Sequence, residues 1–91
     1  MSSIEIVFRD RYGLHPRSAM RIGQTASAFR SRLTIQRLDG GGSPLDARSM
    51  ISLVSSGIRQ GERIRVAADG EDEPAALAAL QALIEGGVCH P

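Results

Sequence analysis

Ile4, Ile6 and Phe8 alternate with Glu5, Val7 and Arg9, the period-two pattern of a half-buried strand. From Pro16 the period changes: Ala19, Ile22, Ala26 and Phe29 recur at helical spacing, while Arg17, Arg21, Gln24 and Arg30 point elsewhere. Gly23 costs such a helix about 1 kcal/mol relative to alanine, which suggests a role in close packing. Leu33 to Leu38 alternates again and predicts a second strand. Asp39-Gly40-Gly41-Gly42 is a turn run, and Ser43 to Leu45 leaves room for only a short third strand. Asp46 is a candidate N-cap for a short helix that carries Met50, Ile51, Leu53 and Val54 and is closed by Gly57. Ile64, Val66 and Ala68 alternate with Arg63, Arg65 and Ala67 in a last strand. A final helix starting near Pro74 presents Leu77, Leu80, Leu83 and Ile84, with Gly86-Gly87 as its stop.

The predicted order is β-α-β-β-α-β-α. Because each strand alternates, one sheet face is buried and the other wet, which predicts an α+β open-faced β-sandwich: a four-stranded antiparallel sheet with three helices on one face. A ferredoxin-like arrangement with an extra helix is the second choice from the pattern. No repeat or linker interrupts residues 1–91, so a single domain is expected, with a fraying tail from Gly86 to Pro91.

Composition sharpens this picture only in places. The aromatic residues are limited to Phe8, Tyr12 and Phe29, so the core must be aliphatic. All 11 basic residues are arginine and the net charge is +1, with both signs interspersed, which gives no bulk attraction to nucleic acid or anionic membrane. Arg9, Arg63 and Arg65 are a candidate basic stripe on the open sheet face, but it lacks stacking aromatics. The lone Cys89 cannot close an internal disulfide, no signal-peptide pattern opens the chain, and Ala75 to Leu80 is too short to cross a bilayer. A cytoplasmic monomer is the expectation.

The chemistry concentrates in Gly13-Leu14-His15-Pro16-Arg17-Ser18-Ala19. Gly13 allows a sharp turn and Pro16 suits a first helical position, which leaves His15 at the cap. There the free N–H groups of the first turn and the helix dipole favour an anion beside the ring and disfavour an imidazolium, so the neutral, nucleophilic ring is favoured. Arg17 adds a guanidinium that can fork onto phosphate oxygens. A nucleophilic imidazole beside an anion cradle is what a transient phosphohistidine requires. Other candidates are weaker. The glycine run has no Gly-x-x-x-x-Gly-Lys-Ser/Thr pattern, and Cys89 with His90 lack the number and spacing of a metal site, so no metal or cofactor is expected. The Asp69 to Glu73 run suits the N-terminus of the last helix, and Tyr12 reads as a packing loop residue.

Gly-Leu-His-x-Arg-x-Ala resembles the active-site signature of the HPr family, the histidine-containing phosphocarriers of the bacterial sugar phosphotransferase system. The resemblance extends through Arg48 to Ile58, which is similar to the family's second conserved region, and on through Gly61-Glu62-Arg63-Ile64 and Gly70-Glu71-Asp72-Glu73 in family order. It implies the same fold, and a stoichiometric phosphoryl carrier rather than an enzyme. His15 would take the phosphoryl group from Enzyme I, itself phosphorylated by phosphoenolpyruvate, and pass it to an enzyme IIA domain, with Arg17 stabilising the phosphate. The alternative is a regulatory relay or interaction module that uses the same residues without sugar transport.

The resemblance also assigns roles beyond the histidine. Ser49 aligns with a serine that a dedicated kinase phosphorylates in many family members, although a plain polar residue in a first helical turn is the other reading. Met50, Ile51 and Val54 correspond to the patch that docks Enzyme I and other partners. The chain departs from the usual His-x-Arg-Pro: Pro16 follows the histidine and Ser18 follows the arginine. Pro16 has no N–H to offer, so donation to a phosphoryl group falls to the Arg17 and Ser18 amides. The Ser18 hydroxyl either adds a phosphate contact or caps the helix.

Overall fold

Strand β1 (Ser2–Val7), helix α1 (Pro16–Ser27), strands β2 (Arg32–Arg37) and β3 (Leu45–Asp46), helix α2 (Met50–Ser55), strand β4 (Arg63–Asp69) and helix α3 (Glu73–Glu85) follow one another in a computed structural model. It describes residues 1–39 and 42–86. The sheet order is β1-β4-β2-β3 and every pairing is antiparallel. The predicted four-strand, three-helix architecture is the one observed.

Register explains why one face is apolar. Ile4 lies opposite Val66 and Ile6 opposite Ile64 in the β1–β4 ladder, while Leu33 faces Ala68 and Ile35 faces Val66 across β2–β4. A slip of one residue would turn this whole set to solvent. The helices cover it with Ala19, Ile22 and Ala26 from α1, Leu53 from α2, and Ala76, Leu77, Leu80 and Ile84 from α3. Burying each Ile or Leu here contributes on the order of 2 kcal/mol before chain entropy is set against it. The opposite face carries Ser3, Thr34, Gln36 and Arg65. Arg65 pairs with Glu5 at 3.0 Å, its neighbour in register, so the anticipated basic stripe is interrupted by a carboxylate.

Several local expectations are corrected. The first strand begins at Ser2 and its ladder closes at Val7, because Phe8 turns inward to become fully buried core while bonding to the Gly61–Glu62 turn. The third strand is Leu45–Asp46 rather than Ser43 to Leu45. The α2 N-cap is Ser49, not Asp46: the Ser49 hydroxyl accepts the Ser52 N–H, whereas the Asp46 carboxylate accepts the Arg48 N–H in a turn before the helix. A Cβ on Gly23 would lie 3.8 Å from the Ala47 carbonyl oxygen, ordinary contact that leaves room for alanine. Gly40, Gly41 and the tail from Gly87, including Cys89 and His90, lie outside the described residues.

The acidic run before α3 acts across the fold. Asp72, at the N-cap of α3, makes no side-chain cap bond to its own helix. Its carboxylate instead accepts the N–H groups of Arg30 and Ser31 and the Ser31 hydroxyl. Those bonds hold its pKa down from 3.8 to about 2, the Ser31 hydroxyl being the largest cause and the Arg30 amide the next. Glu73 accepts the Gly70 N–H and the Ser2 hydroxyl and pairs with the N-terminal ammonium; these contacts, the Gly70 amide first, lower its pKa from 4.5 to about 2. Arg48 fastens the other end of α1 by donating to the carbonyls of Ala26 and Phe29 at 3.1 and 2.7 Å.

Candidate functional site

The turn leading into α1 is built by Asp10. Its Oδ1 accepts the Tyr12 N–H at 3.0 Å and its carbonyl accepts the Gly13 N–H at 3.0 Å, an Asx turn that satisfies the backbone locally. Gly13 then takes φ 73°, and Leu14 donates its N–H to the Ile58 carbonyl at 2.9 Å. Leu14 is buried in the core, which pins the chain one residue before the histidine.

His15 is the N-cap of α1, with extended backbone at φ −127° and ψ 174°, and Pro16 begins the helix. The His15 N–H donates to Ser18 Oγ at 2.9 Å, and the Ser18 hydroxyl lies 3.0 Å from the His15 carbonyl and 3.4 Å from that of Gly13. Ser18 is fully buried. Of the two roles open to its hydroxyl, it therefore takes the cap. The imidazole faces the Ser18 N–H as the reciprocal half of a capping box, without closing to a full hydrogen bond. A helix leaves its first four amides without intrahelical partners. Here His15 gives its own to Ser18 and Pro16 has none, so only the Arg17 amide and the Ser18 amide, which faces the imidazole, remain without a hydrogen bond among the described residues.

The two ring nitrogens of His15 have different surroundings. Nε2 is buried and has no hydrogen-bond partner among the described residues. It lies 3.7 Å from Oδ2 of Asp10, whose side chain is only 3% exposed. Nδ1 is thus the nitrogen left to the helix side. The exposed Tyr12 ring stands edge-on to the imidazole, with centroids 6.3 Å apart, and Arg11 lies over that ring at 5.3 Å. Tyr12 is therefore a surface residue rather than a packed one. The Arg17 side chain is exposed and engages no partner among the described residues.

In the sequence Asp10 stands only as the first residue of a short polar run, Asp10 to Tyr12, after the first strand. An aspartate three residues before the turn glycine does signal the Asx turn, but nothing in the spacing announces its second oxygen at the histidine.

The remaining predicted residues lie on α2 and at its cap. Ser49 is half-buried, its hydroxyl 3.0 Å from that of Ser52. Met50 and Ile51 are exposed, Ile51 at 81%, whereas Val54 is partly buried and packs on the core. No group of three or more metal-ligating side chains gathers among the described residues, and none of their helices is long and apolar enough to cross a membrane.

Fold and site together define a small α+β protein with a histidine capping its first helix. The family model described as "PTS HPr component phosphorylation site" matches residues 2–86. The chain belongs to the HPr family, the phosphocarriers of the phosphotransferase system. It is similar to phosphocarrier protein HPr of Mycoplasma genitalium, with 38% identity over 85 residues that cover 93% of this chain and 94% of the relative. Against the multiphosphoryl transfer protein of Salmonella typhimurium it is 38% identical over 86 residues, 94% of this chain but only 23% of that longer protein. Among solved structures, HPr from Thermoanaerobacter tengcongensis superposes with a TM-score of 0.85 at 34% identity, covering 94% of this chain and 93% of the other.

Proposed function

We propose that the protein accepts a phosphoryl group on His15 from Enzyme I and passes it to enzyme IIA domains in phosphoenolpyruvate-dependent sugar uptake. The observation that carries this reading is the imidazole at the N-cap, with Nε2 enclosed and Nδ1 left on the side of the free amides. In the forward step the Nδ1 lone pair attacks phosphorus, and the bond to the donor breaks with its electron pair returning to the donor. The Arg17 and Ser18 amides and the Arg17 guanidinium face the phosphoryl oxygens, where fixed donors stabilise charge without reorganising. The chain itself acts as a stoichiometric carrier, and the partner provides most of the positioning.

Ser49 is a regulatory phosphorylation site in this reading, and the adjoining Met50 and Ile51, with Val54 behind them, form the docking patch for Enzyme I. The test of the central claim is incubation with phosphoenolpyruvate and a cognate Enzyme I. One acid-labile, base-stable phosphate is expected, and none on His15→Ala. Equal labelling of that variant would move the acceptor elsewhere.

A further inference from the structure

A buried carboxylate beside a buried ring nitrogen favours the tautomer that places the ring proton between them. Asp10 is 3% exposed, Nε2 of His15 has no hydrogen-bond partner among the described residues, and Oδ2 stands 3.7 Å from it. That separation is a few tenths of an ångström beyond a hydrogen bond, and such contacts tighten when the ring takes on charge. Asp10 is itself fixed, because its Oδ1 holds the Tyr12 N–H and its carbonyl the Gly13 N–H.

We propose that Asp10 is the positioning residue of the histidine: its carboxylate keeps the ring proton on Nε2, so that the Nδ1 lone pair faces the helix N-terminus. The reactive consequence rests on the carrier reading above. When Nδ1 binds phosphorus, the ring keeps its Nε2 proton and becomes cationic against the Asp10 carboxylate. On onward transfer the N–P electron pair returns to Nδ1, and the ring leaves as a neutral imidazole rather than an imidazolate. Asp10 therefore favours the right tautomer before transfer and an easily released phosphoryl group after it.

Asp10→Asn tests this, because the amide oxygen still accepts the Tyr12 N–H while the charge is gone. Nitrogen-15 spectra of the imidazole in the unphosphorylated protein read the tautomer directly, with no partner protein present. The proton is expected mainly on Nε2 in the parent chain, with a clear shift towards Nδ1 in Asp10→Asn, whose NH₂ can point at the ring. Asp10→Ser, which keeps a turn acceptor without a charge, should show the same loss of preference if the asparagine amide disturbs the loop. The same tautomer populations in all three proteins would overturn the proposal. Once the parent and variant have been loaded with phosphoramidate, transfer of the phosphoryl group from His15 to an enzyme IIA domain is expected to slow on the order of tenfold in Asp10→Asn. A parent chain with the Nε2–H tautomer that takes no phosphate from Enzyme I would sink the carrier reading and leave the role of Asp10 in setting the tautomer intact.

Discussion

The N–H of Leu14 donates to the carbonyl of Ile58 at 2.9 Å, mooring the loop that ends in His15 to the turn after α2. Gly13 lies against the same carbonyl, where an added Cβ would stand 2.8 Å from the oxygen at a backbone φ of 73°. Gly13→Ala is expected to destabilise the fold by about 2 kcal/mol or more, through left-handed strain together with a backbone clash. Urea unfolding monitored by circular dichroism measures it; an unchanged midpoint would mean that the loop re-forms without this approach.

Arg17 gives the opposite expectation. Its side chain is exposed and bonds to none of the described residues, so Arg17→Ala should change stability by no more than about 0.5 kcal/mol. Transfer from Enzyme I should nevertheless fall on the order of tenfold to hundredfold, because a charged phosphate donor is lost. A variant that unfolds readily yet transfers normally in its folded fraction would make the residue structural.

Phosphorylating Ser49 should weaken binding to Enzyme I, on the order of tenfold for the phosphate and less for Ser49→Asp. The added charge would sit next to the exposed Met50 and Ile51, and burying that patch would then require desolvating it. The fold should survive, since an anion at an N-cap agrees with the helix dipole. Titration calorimetry with modified and unmodified protein decides; equal affinities would leave Ser49 a cap and nothing more.

The lowered carboxylates predict an acid-sensitive fold. Asp72 and Glu73 both sit at about 2, below their ordinary 3.8 and 4.5. In this window the unfolded chain binds more protons than the folded one, so their stabilisation is complete above about pH 4.5 and is lost as pH falls towards 2. Asp72→Asn should flatten, without abolishing, the fall in melting temperature across that range, since Glu73 still titrates. An identical slope in variant and parent would show that the bonds to Ser31 and Arg30 do not couple to folding.

The alternations of Ile4, Ile6 and Phe8 and of Ile64, Val66 and Ala68 made the sheet readable, because each pattern has one period and one buried face. The histidine cap was equally readable, since Gly13 and Pro16 bracket it within the local chain. What escaped depends on closure of the chain in space. Asp72 meets Ser31 across 41 residues, and no local rule says that an acidic residue before a helix will serve another turn instead. Asp46 and Ser49 are both good caps, and only the position of the β2–β3 ladder decides between them. The second oxygen of Asp10 reaches the imidazole because Gly13 turns the loop back, a fact of geometry rather than of spacing.

The capping box also sets how firmly anything can be held at His15. Ser18 takes the histidine's own amide and Pro16 contributes none, so a visiting anion meets two backbone donors where a glycine-rich phosphate loop would offer a nest of them. A cradle with so few fixed hands makes the bound state shallow. In the carrier role proposed above, shallow wells suit cargo in transit: a phosphoryl group resting there would remain within reach of the next acceptor instead of settling into a trap.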